Sequence, residues 1–562
     1  MARDFLLAAL ISGMSAASLA AQPAFDGKAF PALPGQTTAA ITAEDFKARI
    51  AALADDRFEG RLPGAPKGEA SADWIAEEMK RIGLKPGNGE SYFQRVPAVG
   101  IAIDPSKSSF EIKTAKGSIS PKFADEVAFW SPRFDKAEQL VQGSDLIFVG
   151  YGVHAPEEKW DDFAGIDVRG KTIVVLINDP GFVVGDETLF RGRAMTYYGR
   201  WTYKFEEAAR RGAAAVIIVH ETKPAAYGWE VVRNSNTGDK LYLDKANGNA
   251  DLATIHSWIT EETAKALFAA AGLDYAALRL VANKRDFRAV PMSGLALNAK
   301  TVSSVSRFTT RNVLGLVQGA KRPAEVVLFT AHWDHLGVKP NAPGTDKIHN
   351  GAVDNATGVS GILEIAEAFA LAPAPARSVL FAAVTLEEQG LLGSSYMAEN
   401  HVFPLKSIVG GVNFDALMPQ GPSKSMSVVG YGASELEDLL KGVLKGQNRT
   451  IVPEALPERG SFYRSDHISF AKKGVPMLYA SGSIDLRVGG EAAGLAIRER
   501  YTAKTYHQPN DEFSSEWDVS GPVEDLSAMH RLSLDLANSQ MWPSWYPGNE
   551  FRAIRDRSRA GK

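Results

Sequence analysis

Thr330-Ala-His-Trp-Asp-His-Leu-Gly337 ends an apolar run, Val326-Val-Leu-Phe-Thr330, with two imidazoles and a carboxylate. Near-continuous hydrophobicity marks a strand buried on both faces. In open α/β sheets, ligands collect beyond the carboxyl ends of such strands. The same arrangement recurs downstream. Ser378-Val-Leu-Phe-Ala-Ala-Val-Thr385 leads into Glu387 and Glu388, and Ile408-Val-Gly-Gly-Val-Asn-Phe414 leads into Asp415. Asp354 lies in Asn350-Gly-Ala-Val-Asp-Asn-Ala-Thr-Gly358, just before a helical pattern, and His507 in Tyr506-His-Gln-Pro-Asn-Asp511. Together these offer two imidazoles and four carboxylates, and the segments of His332, Asp354, Glu387–Glu388 and Asp415 converge on one sheet edge.

Working outward, Val313-Leu-Gly-Leu-Val317 and Met477-Leu-Tyr-Ala480 read as further strands. Helical patterns over 358–371, 391–399 and 523–540 separate or close them. This alternation implies an α/β fold of three layers, α/β/α, around a mostly parallel sheet. Upstream, Thr42-Ala-Glu-Asp45 caps a helix running to Leu53, and Ala70, Trp74, Ile75, Met79 and Ile82 repeat at helical spacing. Phe58-Glu-Gly-Arg-Leu-Pro-Gly64 is a loop between them, and Tyr92-Phe-Gln-Arg-Val96 alternates like a strand.

From about residue 100 to 295 the pattern is one of short strands and turns. Asp145-Leu-Ile-Phe-Val-Gly-Tyr-Gly-Val153, Lys171-Thr-Ile-Val-Val-Leu-Ile177 and Ala213-Ala-Ala-Val-Ile-Ile-Val219 are strands, and 223–250 reads as a surface loop. The expected organisation is therefore a signal peptide over 1–20, an N-terminal part of the main domain over 21–99, an inserted β-rich domain over 100–295, and the rest of the main domain over 296–562.

The chain has 562 residues, with 45% hydrophobic and 23% charged residues, so it is a folded globular chain. Its 62 Lys+Arg against 66 Asp+Glu leave a formal net charge of -4, which argues against nucleic acid as a partner. Cysteine is absent. This excludes disulfides, thiolate ligands and a cysteine nucleophile. The start combines Arg3, the apolar Phe5-Leu-Leu-Ala-Ala-Leu-Ile11 and the small-residue Ser18-Leu-Ala20, which together read as a secretory signal. That apolar run is too short to span a bilayer comfortably. The expectation is an exported protein, periplasmic or secreted, without a stable membrane anchor.

Nitrogen and oxygen donors in this number suit a pair of divalent ions, with zinc favoured by the mix of imidazole and carboxylate. Asp354 can bridge, His332 and Asp415 can hold one ion, and Glu388 and His507 the other. Glu387 is then left as a carboxylate free to act as general base on water. Asp334, two residues from His332, is placed to orient that imidazole. Burying so many carboxylates beside apolar strands is costly unless a cation compensates. Tyr463 and His467 are candidates for stabilising a tetrahedral intermediate, and Arg464 and Arg311 for gripping a substrate carboxylate. His335, His349 and His401 are left as structural.

These residues resemble the co-catalytic di-zinc family of aminopeptidases, glutamate carboxypeptidases and the transferrin receptor. The marks are His332-Trp-Asp334, Asp354-Asn355, Glu387-Glu-Gln-Gly-Leu-Leu-Gly-Ser394, Asp415 and His507. Ser465-Asp-His-Ile-Ser-Phe470, Gly474-Val-Pro476 and Glu59-Gly-Arg61 add to the likeness. The resemblance implies two zinc ions on those ligands, Glu387 as base, a cis bond between Asp354 and Asn355, and an aminopeptidase acting on peptides. A carboxypeptidase of the glutamate type and a non-catalytic receptor-like protein are the alternatives. Gly150-Tyr-Gly-Val153, 170–180 and 209–219 resemble a protease-associated domain, which implies a cover over the cleft.

Overall fold

The structure is a computed structural model that describes residues 38–341 and 344–560. The expected signal peptide lies outside the described residues. No helix among the described residues is long and apolar enough to cross a membrane.

The sheet that carries the site has four consecutive parallel strands, in the order Arg377–Val384, Arg322–His332, Ile408–Asn413 and Met477–Gly482. The antiparallel strand Val290–Val317 extends it beside Arg377–Val384, and Phe93–Ile103 pairs with that strand in turn. Side chains alternate between two buried faces, which explains the unbroken apolar runs. Val327, Phe329, Ala331, Val379, Phe381 and Ala383 point into a core shared with helices Ala43–Leu53, Pro66–Arg81, Thr357–Ala370 and Ser520–Asn538. Val326, Leu328, Leu380, Ala382 and Val384 point the other way, against Met397 and Phe470. The result is the expected three-layer α/β/α arrangement. Thr42 caps the first helix by accepting from Asp45 N at 3.1 Å.

Residues between Phe93–Ile103 and Val290–Val317 build a second sheet with cores on both of its faces. Ala215–Val219 lies parallel between Thr172–Leu176 and Ile255–Ile259, and Glu138–Phe148 continues the parallel set. The 28-residue strand Val290–Val317 runs through both sheets. Positions 100 and 295 therefore fall inside continuous strands. Segment 223–250 differs from the loop expected of it. It holds helix Trp229–Asn236, which buries Val232, and strand Lys240–Leu243, which pairs with Phe93–Ile103. Leu241 and Leu243 pack beside Val96 and Ala98. Tertiary burial of a few apolar side chains has overridden the turn-rich composition.

The two units touch through polar and aromatic contacts. Met195 N donates to Pro457 O at 3.2 Å, Lys472 pairs with Glu206 at 2.6 Å, and Tyr197 stacks on Tyr463 with centroids 6.4 Å apart.

Candidate metal centre

His332 is the last residue of its strand and stands in register with Val384, while Thr330 stands opposite Asn413. The residues just beyond these positions, Glu387, Glu388 and Asp415, therefore emerge on the same edge. Nε2 of His332 lies 3.2 Å from Oδ1 of Asp354 and 3.4 Å from Oδ1 of Asp415. Nε2 of His507 lies 3.3 Å from Oδ2 of Asp354 and 3.1 Å from Oδ2's counterpart acceptor, Oε2 of Glu388. Asp354 thus faces one imidazole with each oxygen, as a bridging carboxylate does.

The electrostatics follow from this crowding. Burial pulls the His332 imidazole down, and Glu387, Asp354 and Asp415 more than reverse it, so it sits well above the ordinary histidine value. His507 is likewise lowered by burial and then carried up to about 10 by Asp354 and Glu388. Asp354 is raised by burial but ends well below the usual carboxylate range because of His332 and His507. Glu387 moves the other way. Burial, Asp415 and Glu388 hold it well above its usual value despite His332.

Whether the residues fit a cation can be judged from their orphaned atoms. Nε2 of both His332 and His507 is buried without an aligned hydrogen-bond partner among the described residues, although carboxylate oxygens crowd both. Two imidazole nitrogens standing between carboxylate oxygens form a donor set that zinc satisfies. The residues present fit such a cation: His332, Asp354 and Asp415 offer ligand atoms within 4.8 Å of one another, as do His335, Asp354 and Glu388, and His507 also faces Asp354 and Glu388.

The loops around these ligands are tied down by side chains. The Asp354–Asn355 peptide is cis. Asn355 Nδ2 donates to Phe414 O at 3.0 Å, and its Oδ1 accepts from Gly358 N and Ala416 N. This joins the Asp354 loop to the Asp415 segment. Asp511 accepts from Val353 N at 3.0 Å and Asp354 N at 3.1 Å. Arg61, fully buried, donates to the carbonyls of Trp333, Leu53, Asn350 and Gly351. Gly351 has φ +52, and a Cβ there would stand 2.1 Å from Asp354 O. Asp511 was missed as a support, and its place four residues beyond His507 was the available signal.

Leu386 adopts φ +56, which starts a tight turn and brings both Glu387 and Glu388 to the site. Glu387 Oε2 lies 4.0 Å from His332 Nε2, and Glu388 lies against His335 and His507. One expectation needs correcting. Asp334 was expected to orient His332 through its carboxylate. That carboxylate stands 3.9 Å from Nδ1, whereas the backbone oxygen of Asp334 stands 3.1 Å away. The carboxylate accepts from Glu387 N at 3.1 Å and so positions the expected base instead.

Tyr463 and His467 are packed into the interior. Tyr463 donates to Glu550 at 2.7 Å, and His467 lies between the rings of Phe462 and Tyr479. Arg311 pairs with Glu69 and Asp73. Arg464 is exposed and lines a cavity of about 260 Å³ at the seam of the two units, with Arg200, Arg459, Tyr227 and Met195. Burial and the charge of Arg464 lower Arg200 to about 10, and Nε of Arg200 has no partner among the described residues.

Residues 312–530 match peptidase family M28. The probable lipoprotein aminopeptidase LpqL of Mycobacterium tuberculosis is 27% identical over 229 residues, 38% of this chain and 43% of that protein. A probable zinc metalloprotease of Pyricularia oryzae is 32% identical over 111 residues, 19% and 20% of the two chains. The chain thus spans less than half the length of these relatives. Among solved structures, an aminopeptidase from Aneurinibacillus sp. strain AM-1 is similar at 20% identity and a TM-score of 0.44, covering 91% of this chain and 95% of that one.

Proposed function

We propose that this chain, whose residues 312–530 match peptidase family M28, is an exported aminopeptidase that uses two zinc ions to release N-terminal residues from peptides. One observation carries the reading. The imidazoles of His332 and His507 and the carboxylates of Glu388 and Asp415 converge around Asp354, with Glu387 left over. His332, Asp354 and Asp415 would hold one ion, and Asp354, Glu388 and His507 the other. Zinc in such sites supplies Lewis acidity, polarising a scissile carbonyl and making water a nucleophile near neutral pH.

The chain's own residues do the rest. Glu387 takes a proton from the attacking water at its carboxylate as the C–O bond forms, and delivers it to the departing amine nitrogen as the peptide C–N bond then breaks. Asp334 fixes that base by accepting from its backbone N–H. Asp511, Asn355 and Arg61 hold the Asp354 loop in place. Residues 100–295, read as a protease-associated domain, cover the cleft and favour short peptides, with the Met195 and Tyr197 contacts as support. The signal-like residues 1–20 support export.

The cationic cavity favours a second reading, a carboxypeptidase of the glutamate type. Arg200, Arg459 and Arg464 line it, and no carboxylate among the described residues does. Blocked peptides separate the two readings. N-terminal acetylation stops an aminopeptidase and spares a carboxypeptidase, while C-terminal amidation does the reverse. Zinc-loaded protein that cleaves neither free nor blocked peptides overturns both and leaves the receptor-like alternative.

A further inference from the structure

His335 is the imidazole for which the sequence offers no role. Its side chain is fully buried, and Nδ1 stands 2.6 Å from Oε1 of Glu388. The other oxygen of that carboxylate, Oε2, faces Nε2 of His507 at 3.1 Å. One carboxylate is therefore held by two rings, one at each oxygen. The rings stand nearly perpendicular, 70° apart with centroids at 5.6 Å, so they approach Glu388 from different directions.

The placement of His335 is rigid. Its backbone N donates to Arg61 O at 3.2 Å. Its ring lies against Gly351, where a Cβ would come within 2.6 Å of Cγ and Cδ2. Gly351 is itself held through its carbonyl by Arg61 at 2.9 Å. Nε2 of His335 is buried without a hydrogen-bond partner among the described residues. The ring therefore has a single polar engagement, and Glu388 Oε1 is its object.

We propose that His335 is a positioning residue that occupies Oε1 of Glu388, makes Glu388 a one-oxygen ligand, and so keeps a coordination position of its ion open. The inference rests on the two-zinc reading above. A carboxylate with both oxygens free can close onto one ion with two bonds and fill that position. An N–H donor on Oε1 prevents this while Oε2 remains turned toward His507. Catalytic zinc sites need such an open position, and groups that hydrogen-bond to ligands tune affinity ~10–100-fold.

The test compares wild type, His335→Ala and His335→Asn, since the Asn Nδ2 stands where the imidazole Nδ1 does. Zinc affinity is titrated against a competing chelator, and cobalt replaces zinc so that the intensity of its visible absorption reports coordination number. In His335→Ala the weaker-held ion should lose ~10–100-fold in affinity, its cobalt absorption should weaken as the coordination number rises, and His335→Asn should restore both. Two ions bound by His335→Ala with wild-type affinity and spectrum overturn the inference while leaving the metal reading intact. Loss of an imidazole from the metal's coordination sphere in His335→Ala, seen by X-ray absorption, also overturns it, because His335 is then a ligand. Wild type that takes up no second ion overturns both.

Discussion

Arg61→Met should cost the fold about 3–5 kcal/mol, and the figure can be worked from the contacts. The guanidinium is buried to 1% exposure and donates to four backbone carbonyls, those of Trp333 at 2.7 Å, Leu53 and Gly351 at 2.9 Å, and Asn350. A hydrogen bond from a charged donor nets about 1.5–3 kcal/mol, so four amount to about 6–12 kcal/mol gross. Burial opposes this. It lowers Arg61 to about 10 even after Asp511, Asp334, Asp354 and Glu388 pull it up. At 1.36 kcal/mol per pH unit, that fall from the ordinary value offsets about 3 kcal/mol. Methionine refills much of the volume, and water reaching some of the freed carbonyls trims the remainder to the stated range. Residue 61 has φ +51 with either side chain, so backbone strain cancels in the comparison. Urea unfolding of the metal-stripped proteins, followed by fluorescence and circular dichroism, measures the difference. Arg61→Lys keeps the charge but loses the fork of donors, and should recover less than half of the loss. A loss below about 1 kcal/mol for Arg61→Met would refute the view that this side chain clips the ligand loops together.

Asp511→Ala removes the acceptor for Val353 N and Asp354 N and should weaken zinc binding ~10–100-fold by chelator competition. Asp334→Ala should lower kcat while leaving zinc affinity within ~3-fold, because its carboxylate holds the backbone of Glu387 and not the His332 ring. His256 stacks flat on Phe205 at 3.9 Å, and burial, with Lys240 and Arg133, lowers it to about 3. Its folded value lies below the ordinary 6.5, so the stability it contributes is full above pH 6.5 and is lost as pH falls toward 3. His256→Phe should therefore soften the acid loss by about 1.4 kcal/mol per pH unit over that window, read from thermal melts at pH 7 and pH 5.

Much of the half that carries the site was legible because its strands are buried on both faces and write continuous apolar runs into the chain. Val326–Thr330 and Ser378–Thr385 needed no more than that to mark a sheet edge, and the polar residues after them fell at the site. Residues whose role depends on long-range contact were not legible. Asp511 acts through backbone N–H groups more than 150 residues away in sequence. Leu386 is itself neither glycine nor asparagine, so nothing at that position announces its positive φ. Strand Lys240–Leu243 sits in a polar, turn-rich segment and is made a strand by pairing with Phe93–Ile103. Tyr463 looked available for substrate until its hydroxyl proved to be engaged by Glu550. His335 looked idle because a histidine's partner cannot be read from its neighbours in sequence.

The central claim is that Glu387 is a base standing beside a metal centre without holding it. Glu387→Ala, assayed for bound zinc and for hydrolysis of a peptide with a free N-terminus, tests this most directly. The expected result is two zinc ions per chain, as in wild type, with kcat lowered by ~10²–10⁴-fold. Hydrolysis retained at the wild-type rate with zinc in place would contradict it.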